Sequence, residues 1–262
     1  MDIGLMNEHA LVCGATQGIG RAVAHELAAA GATVTVLSRD PDRVRDTVAA
    51  LPTEAGQHHH GIAADMEETD ILDRKVQVLT KATPPVSILV NNSGGPAPGL
   101  LHEADVAAFD QAMRRHLYAY QTLVRTLVPG MKERRRGRII NVISTSVKQP
   151  LPNLGVSNTL RGAVANWAKT LANELGAFGI TVNNVLPGAT RTDRLEQIIQ
   201  RNAGKHGIPA EEAEQRMLHE IPTGRFARPE EIAYAVVFLA SSAAASINGI
   251  NLPVDGGRTG CL

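Results

Sequence analysis

Gly14, Gly18 and Gly20 stand in the run Cys13-Gly14-Ala15-Thr16-Gln17-Gly18-Ile19-Gly20, with the spacing G-x-x-x-G-x-G. Glycines so placed let backbone come close to a pyrophosphate. A helix that starts there adds unpaired N–H groups and a partial positive charge. The chemistry open to this run is dinucleotide binding, with Thr16, Gln17 and Ile19 sharing the turn. A second signal lies in Val36-Leu37-Ser38-Arg39-Asp40. Binders of NAD usually close this strand on an acid that pairs with the ribose 2′-OH. Here Ser38 holds that place and Arg39 follows. A guanidinium beside a small hydroxyl suits a 2′-phosphate, so NADP(H) is favoured over NAD(H). The rival reading gives the ribose to Asp40 and leaves Arg39 a solvated charge.

These residues need strand ends and helix starts to hold them. Short apolar runs at 10–13, 33–37, 61–64, 87–90, 138–143, 180–185 and 250–254 are apolar nearly throughout. That pattern suits strands buried on both faces of a parallel sheet. Helical periodicity is clearest at 19–30, 41–51, 105–131, 158–175 and 229–240, with Pro41 and Pro229 suited to first turns. The alternation implies α/β architecture: a single doubly wound, Rossmann-type domain over 1–262, with seven parallel strands and helices on both faces. Residues 193–222 break the alternation with a polar, helical stretch, expected to form a substrate lid.

Composition narrows the function classes. The chain has 262 residues, 44% hydrophobic and 20% charged, which fits a packed domain rather than disorder. Lys+Arg and Asp+Glu both number 26, so no bulk charge draws it to nucleic acid or an anionic membrane. No apolar run reaches a membrane span, and the first ten residues lack signal-peptide character. Cys13 and Cys261 suggest neither a disulfide framework nor a metal site. A cytoplasmic protein is expected. His58-His59-His60 has no further ligands nearby and reads as a solvated loop rather than a metal site.

Further motifs carry a family resemblance along nearly the whole chain. Besides the glycine turn there are Asp65 with Met66 after the third strand, and Asn91-Asn92-Ser93-Gly94 after the fourth. Pro187-Gly188 with Thr192 follows the sixth. Gly224-Arg225-Phe226-Ala227-Arg228-Pro229 and Val254-Asp255-Gly256-Gly257 lie near the end. The chain resembles a classical short-chain dehydrogenase/reductase, similar to the 3-oxoacyl-acyl-carrier-protein reductases. The resemblance implies cofactor contacts at Asp65, Met66, Asn92, Ser93, Gly94, Pro187, Gly188 and Thr192. It also implies a homotetramer or homodimer packed through the helices at 105–131 and 158–175.

The family's catalysis uses Asn, Ser, Tyr and Lys, because hydride transfer at a carbon requires a proton at the adjacent oxygen. Ser144 matches the family serine. The tyrosine and lysine places fall on Ser157 and Arg161, and the asparagine place on His116. A serine is a far weaker acid than a phenol, and arginine cannot relay protons by titrating. Arg161 sits four residues past Ser157, on the same helix face, as a cofactor or substrate ligand. His116 titrates near neutrality as a free imidazole and is a candidate acid/base. Lys148, four residues past Ser144, is another. Of the three tyrosines, Tyr118 and Tyr120 lie close to His116, but at most one can face the same way. The expected function is interconversion of a small-molecule carbonyl and alcohol with a non-standard proton donor. The alternative is an NADP(H)-binding sensor or partner subunit without redox chemistry.

Overall fold

The computed structural model describes residues 3–261. Seven strands form one sheet in the order β3-β2-β1-β4-β5-β6-β7. They are β1 (His9–Cys13), β2 (Thr33–Ser38), β3 (His60–Ala63), β4 (Ile88–Asn91), β5 (Gly137–Val142), β6 (Ile180–Pro187) and β7 (Asn251–Val254). Every neighbouring pair is parallel. The strand bounds differ from the sequence reading by no more than two residues at either end.

Successive strand residues point to opposite faces, so both faces need cover. Leu11, Leu89, Ile139 and Val182 face a core built with α3 (Thr69–Ala82), α5 (Ala119–Glu133) and α6 (Gly155–Leu175). Ala10, Val12, Val34 and Ile88 face the other core, with α1 (Gly18–Ala29), α2 (Pro41–Ala49) and α9 (Pro229–Ala240). Strand order reverses between β1 and β4, and the crevice outside the carboxyl ends there is where such sheets bind ligands.

A chain of amides, buried from Asn91 to Asn184, fixes register across β4 to β7. Asn91 donates to Asn141, Asn141 to Asn184 and Asn184 to Asn251, each at 2.8 Å. These residues are direct partners in the β4–β5–β6–β7 ladder. A slip of one residue in any strand would leave buried amides unpaired, so the ladder fixes the end of β4 and β5 against the middle of β6 and the start of β7.

The long helical stretch at 105–131 is not one regular helix. It runs as α4 (Val106–Met113), a π-helical turn at Arg114–Tyr118, and α5. The extra residue of a π turn changes which side chains face inward. It leaves His116 and Tyr120 fully buried and Tyr118 48% exposed.

The polar stretch at 193–222 is helical, as α7 (Asp193–His206) and α8 (Ala210–His219). It has its own small core of Leu195, Ile199, Ala203, Ala213, Ile221 and Phe226. A parallel bridge between Thr190 and Ala227 closes its base. Within the histidine run, His58 is an exposed loop residue as expected, but His59 and His60 are not. His59 Nδ1 accepts from the Val34 N–H at 3.0 Å, while its Nε2 donates to the Pro52 carbonyl at 2.7 Å. His60 opens β3. His59 and His60 are thus structural, and no group of metal-ligating side chains occurs among the described residues. No helix there is long and apolar enough to cross a membrane.

Candidate active site

The β1–α1 turn can be built only by glycine at its key positions. Gly14 and Gly18 have φ of +58° and +51°. A Cβ on Gly14 would stand 2.9 Å from Asn92, and one on Gly20 would overlap the Gly14 carbonyl oxygen. Asn92 Nδ2 donates to the Cys13 and Gly14 carbonyls at 3.2 and 3.3 Å, tying the end of β4 to the turn. Asn92 thus holds the cradle's shape. Thr192, at the start of α7, folds back onto the same turn: its Cγ2 lies 3.3 Å from where a Gly18 Cβ would be. Gly188 lets β6 pass close to Asp255, whose Cα would be 2.7 Å from a Gly188 Cβ.

At the end of β2, Thr16 Oγ1 and Ser38 Oγ are 3.0 Å apart. Arg39 is exposed and reaches Asp65 at 3.7 Å. Asp65 also accepts from the Glu67 N–H at 2.9 Å. Asp40 is engaged as the N-cap of α2, accepting from the Asp42 and Arg43 N–H groups at 3.0 and 3.1 Å. Arg43 bonds Gln17 at 3.1 Å, placing a second guanidinium beside the turn. The Met66 side chain is 7% exposed and lies in the core, so only its backbone can meet a ligand. Ile19 likewise packs against the core.

Ser144 lies two residues past the end of β5 and caps the short turn after it, its Oγ accepting from the Ser146 N–H at 3.1 Å. A hydroxyl that accepts still has its proton to donate. Ser157 lies in the first turn of α6, and among the described residues its hydroxyl makes no hydrogen bond. One turn on, Arg161 is 6% exposed. It reaches the Val142 carbonyl at 3.4 Å, just before Ser144, and its Nε has no partner. Burial of this guanidinium, with Arg194 nearby, lowers its pKa. Lys148 is half-buried beyond Ser144. Among the described residues its ammonium makes no hydrogen bond or ion pair.

His116 belongs to a buried trio. Ser93 Oγ lies 2.7 Å from His116 Nδ1 and 2.9 Å from the Tyr120 hydroxyl, while His116 Nε2 has no partner. Burial, reinforced by Arg161 and Arg115, pushes the imidazole pKa down to about 2. His116 therefore does not titrate near neutrality as a free imidazole does, and no imidazolium is present there to give up a proton. Burial likewise raises the Tyr120 phenol to about 12.

This has a measurable consequence. The unfolded chain binds a proton at this histidine below about pH 6.5 and the folded chain does not, so stability falls as pH drops through that value. The slope is about 1.4 kcal/mol per pH unit. Replacing His116 with Asn is expected to remove it, leaving the smaller acid sensitivity of His9 and His60, whose pKa burial also lowers. Urea unfolding midpoints between about pH 7 and about pH 4.5 check this, and parallel curves for the two proteins would refute it.

Two basic residues escaped the sequence reading. Arg43 is an exposed charge of α2 with no motif around it. Arg194 stands beside Gly95, facing Arg161, in the first turn of α7. Its signal was a cation at a helix N-terminus, where the macrodipole disfavours one.

The site fits a dinucleotide. Its cradle is one that a Cβ would fill, and near Gly95, after β4, a buried guanidinium has a free N–H.

Comparison with known proteins agrees. The family model described as Enoyl-(Acyl carrier protein) reductase matches residues 14–259. The 3-oxoacyl-acyl-carrier-protein reductase of Aquifex aeolicus is 30% identical over 259 residues, 98% of this chain and 99% of the relative. The 2,3-dihydro-2,3-dihydroxybenzoate dehydrogenase of Bacillus subtilis is 31% identical over 260 residues, 98% of this chain and 97% of that one. The L-sorbose reductase of Gluconobacter frateurii, solved with NADPH and L-sorbose, superposes with a TM-score of 0.93 at 31% identity, covering 100% of both chains.

Proposed function

Because the chain belongs to the classical short-chain dehydrogenase/reductase family, we propose that it is an NADP(H)-dependent oxidoreductase. It interconverts a carbonyl and an alcohol on a small molecule with a proton donor other than the family's tyrosine. The observation that carries this reading is the glycine cradle joined to Ser38 and Arg39, with Asp40 withdrawn into the α2 cap. The NADPH in the L-sorbose reductase structure supports the same preference.

Gly14, Gly18 and Gly20 would admit the pyrophosphate, Arg39 and Ser38 the 2′-phosphate, and Arg161 the ribose or the reacting oxygen. When bound, the cofactor supplies or accepts the hydride. The chain's own part is to hold the oxygen and move its proton. Ser144 donates a hydrogen bond to that oxygen. Ser157 is placed to pass a proton, and Arg161 on the same helix face favours the anionic form of either oxygen. His116, held neutral in its trio with Ser93 and Tyr120, keeps the wall behind them in one arrangement. We read residues 193–222 as the lid, and a homodimer or homotetramer through α5 and α6 as the assembly. Exposed Val106 and Tyr118 beside those helices give a second copy apolar surface to cover.

Steady-state absorbance of NADPH with 3-oxoacyl, sugar, steroid and aromatic carbonyls tests the reading. Turnover of at least one substrate is expected, and tight cofactor binding with no turnover would favour the redox-silent sensor instead. Arg39→Ala is expected to weaken NADPH binding by about 10- to 100-fold, the value of a charge-assisted contact, and to leave NADH binding unchanged. Calorimetry with both cofactors reads this directly, and equal losses would contradict a 2′-phosphate contact.

A further inference from the structure

Two guanidinium groups converge on one backbone position without an acid between them. A Cβ built on Gly95 would stand 3.0 Å from Arg194 Nη2 and 3.4 Å from Arg161 Nη2. Among the described residues neither arginine forms an ion pair. Asp193, next to Arg194 in the first turn of α7, is exposed and makes no ion pair among the described residues, while Glu196 and Glu214 of the lid helices face Arg191 at 3.9 and 2.7 Å. Arg161 is more than nine-tenths buried and its Nε has no partner. Arg194 occupies the first turn of the 14-residue helix α7, whose N-cap, Thr192, makes no side-chain capping bond. Helix N-termini favour anions, so this cation sits against the local field. Burial, with Arg194 beside it, holds the Arg161 guanidinium below its usual pKa, and partial desolvation, with Arg201 beside it, does the same for the more exposed Arg194. An arrangement that repels itself in the free protein is relieved by an anion.

The cofactor's own anions are already provided for: the pyrophosphate by the glycine turn, the 2′-phosphate by Ser38 and Arg39. The Arg161–Arg194 pair is surplus to them and opens on the side of Ser144, since Arg161 backs onto the Val142 carbonyl at the end of β5. We infer that Arg161 Nη2 and Arg194 clamp a carboxylate on the substrate, leaving the unpartnered Nε of Arg161 for the reacting oxygen, so that the substrate is an oxo or hydroxy carboxylic acid. Guanidinium forks match a carboxylate in bidentate fashion, and a lid-borne arginine would close with the lid onto it. This deepens the oxidoreductase reading and rests on it for the reacting group.

Binding to the cofactor-saturated protein tests the inference without turnover when each acid meets the cofactor form it cannot react with, NADP+ for acetoacetate and NADPH for gluconate and 2,3-dihydroxybenzoate. Acetoacetate, gluconate and 2,3-dihydroxybenzoate are titrated by calorimetry, each beside its neutral amide. At least one acid is expected to bind about 10-fold or more tighter than its amide. Arg194→Met is expected to erase that advantage while NADPH affinity stays within about twofold, and Arg194→Lys to keep part of it. The inference is overturned if no acid outbinds its amide. It is also overturned if Arg194→Met weakens NADPH as much as the acid, which would assign the pair to the cofactor's phosphates. An acid that binds in this way yet is never oxidised or reduced would sink the redox reading and leave the clamp standing.

Discussion

Replacing Arg161 with methionine is expected to lower kcat/KM by about 100- to 1,000-fold, the usual effect of removing a preorganised group from a developing oxyanion. The same change is expected to leave the fold intact or make it more stable. Arg161 is buried with a single 3.4 Å hydrogen bond to a carbonyl and an unpartnered Nε, so its desolvation is poorly compensated. An apolar side chain of similar length removes that cost. Activity and stability should move in opposite directions, as they do where a site is strained for function. Arg161→Lys restores the residue the family uses here and is expected to keep activity within about 10-fold, since the charge remains. A methionine variant that unfolds early, or that keeps full kcat/KM, would mean the arginine serves structure or nothing.

Gly20→Ala is expected to abolish NADPH binding at any practical concentration. The added methyl would collide with the Gly14 carbonyl oxygen and lie 2.6 Å from Asn92 Nδ2, and backbone cannot swing aside as a side chain can. The turn must open, at a cost of about 1–3 kcal/mol to the fold and with the cradle's shape lost. Gly162 provides the contrast. It lies inside α6 with nothing within 4 Å of a built Cβ, so Gly162→Ala is expected to stabilise by about 1 kcal/mol and leave cofactor affinity unchanged. Thermal melts with and without NADPH separate the two cases.

The sheet was legible because strands buried on both faces write themselves as unbroken apolar runs, as Leu11 and Val12 show by feeding opposite cores. The cofactor turn was legible for a related reason: only glycine satisfies the backbone at Gly14 and Gly20. The substituted catalytic places, Ser157 and Arg161, could be counted from Ser144. What those residues do was less visible, because it depends on burial. His116 reads as a titrating side chain in sequence and is a neutral, hydrogen-bonded one in the fold. The π turn that buries it with Tyr120 leaves no periodic signature, since one extra residue only shifts the helical phase. Arg194 was hidden because its partner is Arg161, 33 positions away, and only the return of the α7 start onto the glycine turn brings them together.

The account's central claim is that this altered site still performs redox chemistry. Cofactor carrying deuterium on the transferable position of the nicotinamide tests it most directly, with the product examined by mass spectrometry. The account predicts one deuterium on the carbinol carbon of the alcohol for each NADPH consumed, and its loss in Ser157→Ala. Cofactor that binds tightly and returns its deuterium intact with every oxo acid and neutral carbonyl offered would contradict it.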